Sequence, residues 1–139
     1  MSTEASPGRG CATNTIEEMS KYFKAAEFTR CNPSCDISQM DEGFLTLMDR
    51  VRELAGIPLV INSAYRSKSW EMMHGRTGTS AHCKGRALDI RCNTSANRFR
   101  IVAAAINAGI KRIGIGKTFV HLDNDASLPQ RVMWDYYDD

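Results

Sequence analysis

Residues 80–90, SAHCKGRALDI, carry a His and an Asp with six residues between them, and a Gly inside that gap. The second half, "RALDIR", reads as a strand. Alternation then sends Leu88 and Ile90 to one face and Asp89 to the other. Gly85 lies between His82 and Asp89 and suits the turn that would bring the two together. Such a pair is either part of a metal site or a solvated turn. Two ligands do not complete a site, so a third must come from another segment.

The chain has three His residues, His74, His82 and His121. "FVHLD", residues 119–123, places His121 inside an apolar strand, where an imidazole without a partner is costly. Alternation puts Phe119, His121 and Asp123 on one face, with Val120 and Leu122 on the other. His82, Asp89 and His121 can therefore converge on one sheet surface. Two imidazoles and one carboxylate, with a fourth position left to water, form the donor set of a catalytic zinc centre rather than a structural one. His74, in "MMHGRTG", reads as a solvent-facing loop residue. Among the aromatic residues, Trp134 is the candidate for the rim of a cleft.

Outward from these segments, Met40, Phe44, Leu47, Met48, Val51, Leu54 and Ala55 recur at helical spacing, and Gly56 and Pro58 close the run. Residues 15–30 contain a shorter amphipathic stretch. "PLVINSAYR" follows the first long helix as a short strand, and residues 67–79 read as an irregular surface loop. "NTSANRFRIVAAAINAGI" predicts a second helix, capped by Thr94 or Ser95, with Ile101, Ala104 and Ala105 inward and Gly109 at its end. "RIGIG", "TFVHLD" and "RVMWDYY" then predict short strands. Early and central helices with late strands favour an α+β domain built on a small antiparallel sheet with flanking helices.

The chain has 139 residues, enough for one domain, which is expected over residues 15–139 after a polar tail at 1–14. A net charge of +2, with Lys and Arg scattered among Asp and Glu, argues against nucleic acid as a partner. No apolar run approaches the length of a membrane span. The N-terminal residues do not read as a signal peptide, so synthesis in the cytoplasm is expected. Five cysteines, at 11, 31, 35, 83 and 92, are an odd count. Their spacing departs from the tight knuckles of four-thiolate zinc sites. Free thiols are the simpler reading, with Cys31–Cys35 a possible local bridge.

Three separated motifs carry a resemblance: Ser63-Ala64-Tyr65-Arg66-Ser67, then Ser80-Ala81-His82 to Asp89-Ile90, then Phe119-Val120-His121-Leu122-Asp123. In order and spacing they resemble the zinc D-alanyl-D-alanine carboxypeptidase family, whose fold is shared with the hedgehog signalling domain. The likeness runs from about residue 20 to residue 136. It implies a zinc peptidase, holding one zinc ion on His82, Asp89 and His121 and acting on the stem peptides of peptidoglycan. The closest flavour is that of small stand-alone versions from bacteriophages. An enzyme of that kind would act on the cell wall, released by a phage lysis system or carried in a virion.

By the same resemblance, Arg66 would stabilise the oxygen of the substrate carbonyl and Ser80 would contact substrate. Many relatives carry an acid three residues before the last His, a position held here by Thr118, which cannot serve as a base. Asp123 is the available carboxylate, either as the base or as the partner that orients a ligand His, and the base is the preferred role; Asp125 is a remoter candidate. A monomer is expected. The competing class is a hedgehog-like binding domain in which the metal persists without hydrolysis. A four-cysteine zinc or redox module ranks below both.

Overall fold

The computed structural model describes residues 20–137. The expected polar tail at 1–14 and Cys11 lie outside the described residues. In chain order the elements are α1 (Ala25–Thr29), a 3-10 turn (Ile37–Gln39), α2 (Glu42–Ala55), β1 (Ile61–Ser63), α3 (Lys68–Met73), a second 3-10 turn (Ala81–Lys84), β2 (Ala87–Arg91), α4 (Ser95–Ala108), β3 (Arg112–Ile115), β4 (Phe119–Asp123) and β5 (Val132–Asp135). The fold is α+β. Five strands form one sheet in the order β1-β2-β4-β3-β5.

Strand alternation divides the sheet into an apolar and a polar face. Leu88 pairs across to Leu122 and on to Ile113, and Ile90 pairs to Val120 and on to Ile115. Leu88, Ile90, Val120, Leu122 and Ile113 are buried in the main core, together with Phe44, Leu45, Met48 and Val51 of α2 and Ile101, Ala104 and Ala105 of α4. Covering the apolar face with α2 and α4 is how a half-polar sheet buries its apolar side chains. The opposite face carries the site.

Both long helices stop at the glycines their sequences predict, and α4 carries the expected Thr94 cap, whereas the Asp41 cap of α2 lies outside the expectations. Asp41 caps α2 by accepting from the Phe44 amide at 2.8 Å, and Thr94 caps α4 by accepting from the Asn97 amide at 3.1 Å. Gly56 and Gly109 terminate them. The α2 boundary differs at the front: Met40 is buried but precedes the cap, because the Asp41 carboxylate takes the first free amide. Leu54, part of the helical repeat, is exposed. Within the described part of the early amphipathic stretch only Ala25–Thr29 is helical. Residues 20–23 instead dock on α2, where buried Asp49 accepts from Ser20 Oγ (2.7 Å), the Lys21 amide (2.8 Å) and the Tyr22 amide (3.1 Å).

Two expectations are corrected. The sheet is mixed, since β5 runs parallel to β3. Both edges of β4 are taken by β2 and β3, and the chain leaving β4 adds at the nearer open edge, that of β3. Asp123 ends β4 opposite Arg112 at the start of β3, and a short return brings Val132 beside that same residue. The second correction falls at residues 67–79, where a helix, α3, replaces part of the expected loop. Ser67 caps it through the Trp70 amide at 3.0 Å. Its buried residue is Glu71, a carboxylate held by ion pairing, so no apolar period marks the segment.

The Cys31–Cys35 bridge is not formed: both are free, buried thiols, with Cys31 Sγ 3.2 Å from the Glu27 carbonyl and Cys35 Sγ 3.7 Å from that of Phe28. Burial pushes the Cys31 thiol up to about 12. Among the described residues, no helix is long and apolar enough to cross a membrane.

Candidate metal centre

One row across the sheet assembles the site. Ser63 of β1 pairs with Asp89 of β2, Asp89 with His121 of β4, His121 with Gly114 of β3, and Gly114 with Trp134 of β5. Residues directly opposite share a face, so Asp89 and His121 meet because of register alone. His82 arrives from the 3-10 turn that precedes β2. Gly85 ends that turn at φ +68°, and a Cβ there would run into the Gln39 carbonyl and sit 2.9 Å from Met40 Cα. The turn that delivers His82 is thus packed backbone to backbone against the start of α2, with the Asp41 amide donating to the Gly85 carbonyl at 2.8 Å.

Gly114 does a related job at the centre of the row. A Cβ there would lie 2.8 Å from Trp134 Nε1 and 2.8 Å from Tyr136 Cε2. Without a side chain at 114, Trp134 lies over the strand and reaches 5.5 Å from the His121 ring centroid. Trp134 and Tyr136 wall a cleft of about 300 Å³ that also includes Arg66, Ser80, His82, Asp89, His121 and Asp123. Trp134, the expected rim aromatic, lines this cleft.

His82, Asp89 and His121 offer one ligand atom each, all within 4.8 Å of one another. Among the described residues this is the group whose donors converge in this way, and the cysteines form none. His82 Nε2 and His121 Nδ1 face the same Asp89 Oδ1, at 3.3 and 2.9 Å. The outer nitrogen of each ring is held by an oxygen: His82 Nδ1 donates to the Ala64 carbonyl at 2.7 Å, and His121 Nε2 donates to Asp123 Oδ2 at 2.6 Å. That outer bonding fixes ring orientation and aims the inner nitrogens at a common point, the arrangement that supports metal-ligating histidines. The donor set and its supports fit a metal ion.

Charges inside the cleft are tightly coupled. Burial alone would raise the Asp89 carboxyl. The His82 charge and the His121 hydrogen bond overcome it and hold the group well below the usual carboxylate range. Burial would lower the His121 imidazole, but the bonds to Asp123 and Asp89 raise it to about 9. In the metal-free protein His121 is thus a cation between two carboxylates.

The remaining expected residues take definite positions. Arg66 lines the cleft, with Nη2 3.0 Å from Asp89 Oδ2, Nη1 3.2 Å from Glu71 Oε2, and Nε donating to Ser63 Oγ at 3.0 Å. Ser80 Oγ donates to Glu71 Oε2 at 2.5 Å. Asp123 is buried with both oxygens engaged: Oδ2 meets the outer nitrogen of His121, while Oδ1 accepts from Arg112 Nε at 2.8 Å and from the Asp125 amide at 3.1 Å. Its contact with His121 is on the ring edge opposite the converging donors. Asp125 pairs with Lys84 at 2.8 Å, and Thr118 is exposed in the bend that precedes β4. His74 caps the end of α3, stacked on Trp70 at 3.8 Å and outside the His–Asp–His group.

Sequence reasoning missed Glu71, Arg112 and Arg76. Glu71 sits in a helix without apolar periodicity. Arg112 shows itself only once β3 is registered against β4. The Ser67 cap, three residues before Trp70, was the one local signal for α3.

A sheet whose polar face gathers two imidazoles and a carboxylate in a cleft is the architecture of a hydrolytic metal site. The family model described as Peptidase M15 matches residues 18–123. The chain belongs to the Peptidase M15 family, and membership implies peptidase activity. No curated protein matches the chain significantly.

Proposed function

We propose that the protein is a zinc peptidase that hydrolyses D-Ala-containing stem peptides of bacterial peptidoglycan, as a D,D-carboxypeptidase or endopeptidase acting in lysis or remodelling of the wall. The observation that carries the reading is the convergence of His82 Nε2, His121 Nδ1 and Asp89 Oδ1 at the base of an open cleft. His82, Asp89 and His121 would hold one zinc ion, which supplies Lewis-acid polarisation of a carbonyl and activation of water when bound. The surrounding side chains do the rest. Arg66, anchored by Glu71 and Asp89, lines the cleft, where its guanidinium suits the developing negative oxygen of a tetrahedral intermediate. Ser80 and Trp134 form opposite parts of the wall that would hold the peptide. Asp123 orients His121 through Nε2 and is itself held by Arg112. In this reading Asp123 acts as the orienting partner of His121 rather than as the general base, since Oδ2 meets His121 while Oδ1 accepts from Arg112 and the Asp125 amide.

Synthesis in the cytoplasm followed by delivery to the wall, through a phage lysis system or a virion, fits this reading. The competing reading, a metal-holding interaction domain without hydrolysis, is favoured by one observation: both carboxylates lining the cleft, Asp89 and Asp123, already bond protein groups. Digestion of purified peptidoglycan separates the two. We expect muropeptide products that vanish on treatment with chelator, return with zinc, and are absent for His82→Ala. Intact peptidoglycan after incubation with the zinc-loaded protein would reject the peptidase reading.

A further inference from the structure

Three guanidinium groups line the cleft, those of Arg66, Arg76 and Arg112. Two are anchored by acceptors of the protein. Arg66 is bound to Ser63, Glu71 and Asp89. Arg112 is bound to Asp123 and, at 2.7 Å, to the Pro129 carbonyl, and it lies 4.9 Å from the Trp134 ring centroid. Arg76 differs. Its guanidinium makes no hydrogen bond or ion pair with any described residue, and the residue is exposed.

Arg76 is nonetheless held in place. Its backbone amide donates to the Glu71 carbonyl at 2.8 Å, which ties the residue to the end of α3. Its guanidinium carbon lies 5.8 Å from the centroid of the Trp70 ring. Trp70 is itself fixed by the His74 ring stacked at 3.8 Å and by Arg66 at 5.5 Å. A guanidinium resting on an aromatic ring is weakly hydrated and keeps its planar fork of donors open. That fork matches a carboxylate in bidentate geometry. The acids already in the cleft do not compete for it, because Asp89 is paired with Arg66 and Asp123 with Arg112.

We infer that Arg76 binds a free carboxylate of the substrate peptide, and that it biases this cleft toward peptides ending close to the scissile bond. The inference rests on the peptidase reading and gives that site its substrate selectivity. Arg76 is neither a metal ligand nor in contact with one, so its substitution leaves the metal group intact.

The test uses the zinc-loaded full chain and two probes, acetyl-Lys-D-Ala-D-Ala with a free C-terminal carboxylate and the same peptide as its amide. The wild-type protein is expected to show a KM for the acid about tenfold or more below that for the amide, the effect of one charge-assisted bidentate contact. Arg76→Gln should raise the KM for the acid toward that of the amide with kcat held, and Arg76→Lys should recover part of the difference. Equal KM values in the wild type, or an acid preference retained in Arg76→Gln, overturns the inference while leaving hydrolysis, and the peptidase reading, standing. Should neither peptide be cleaved, peptidoglycan digestion decides on the peptidase reading separately, and tryptophan fluorescence titration with the same two probes decides on Arg76. Tighter binding of the acid, lost in Arg76→Gln, supports it, and indifference to the carboxylate overturns it.

Discussion

Asp123 Oδ2 lies 2.6 Å from His121 Nε2, on the ring edge away from the nitrogen that faces His82 and Asp89. A carboxylate so placed controls the tautomer and pose of His121. Removing its charge therefore has a distinctive outcome. Asp123→Asn is expected to weaken zinc binding by about 10- to 100-fold, with hydrolysis recovering as zinc is raised. A general base would behave otherwise, with zinc affinity intact and kcat lost at saturating metal. Competitive titration with a chromophoric chelator, run beside kinetics at high zinc, distinguishes them.

Arg66 joins Asp89 to Glu71, and Lys at this position cannot reproduce a fork that reaches Ser63, Glu71 and Asp89 at once. Arg66→Lys should lower kcat/KM by about 10- to 1,000-fold, the range for losing a positioned oxyanion donor. The fall should appear mainly in kcat. A variant with wild-type kcat would show that Arg66 acts only as a brace.

The metal-free protein should lose stability on the alkaline side. His121 is raised to about 9 in the fold, above an unfolded value of about 6.5. Its contribution is therefore complete below about pH 6.5 and disappears as pH climbs through about 9. Urea unfolding of chelator-treated protein should show a loss on the order of 1–3 kcal/mol across that window. Zinc affinity should rise over the same range, because the ion must displace the proton. Constant urea midpoints in the metal-free protein between pH 6.5 and 9 would contradict the paired imidazolium.

Asp49 gathers Ser20 and two backbone amides onto α2, far in sequence from any ligand. Asp49→Ala leaves those donors without their acceptor and should destabilise the fold by about 2–3 kcal/mol. Zinc stoichiometry and kcat of the folded fraction should not change. Equilibrium denaturation with metal analysis checks both.

Gly85→Ala combines a left-handed backbone with a Cβ pressed on the Gln39 carbonyl and Met40. The turn bearing His82 must shift, so both thermal stability and zinc affinity should fall together. Retention of tight zinc binding at a lowered melting temperature would mean that the turn is not what positions His82.

Residue types and local periods were enough to name the three residues whose donor atoms converge, the polar strand face, the two long helices and the α+β class. Asp89 and His121 each interrupt an apolar strand on one parity, and alternation is a property of the extended chain itself. Caps at Asp41 and Thr94 are equally local, since each acceptor meets an amide three residues ahead. Other features depend on partners distant in the chain. The parallel placement of β5 follows from which sheet edge is still open when the chain leaves β4. Helix α3 is invisible to a hydrophobic period because its buried residue is Glu71, tolerable inside only once Arg66 and Ser80 meet it. The role of Asp123 turns on which nitrogen of His121 it touches, and that is set by the register of β4 between β2 and β3. Short-range geometry is written in the order of residues. Ion pairing and strand register arise only when distant segments share one surface.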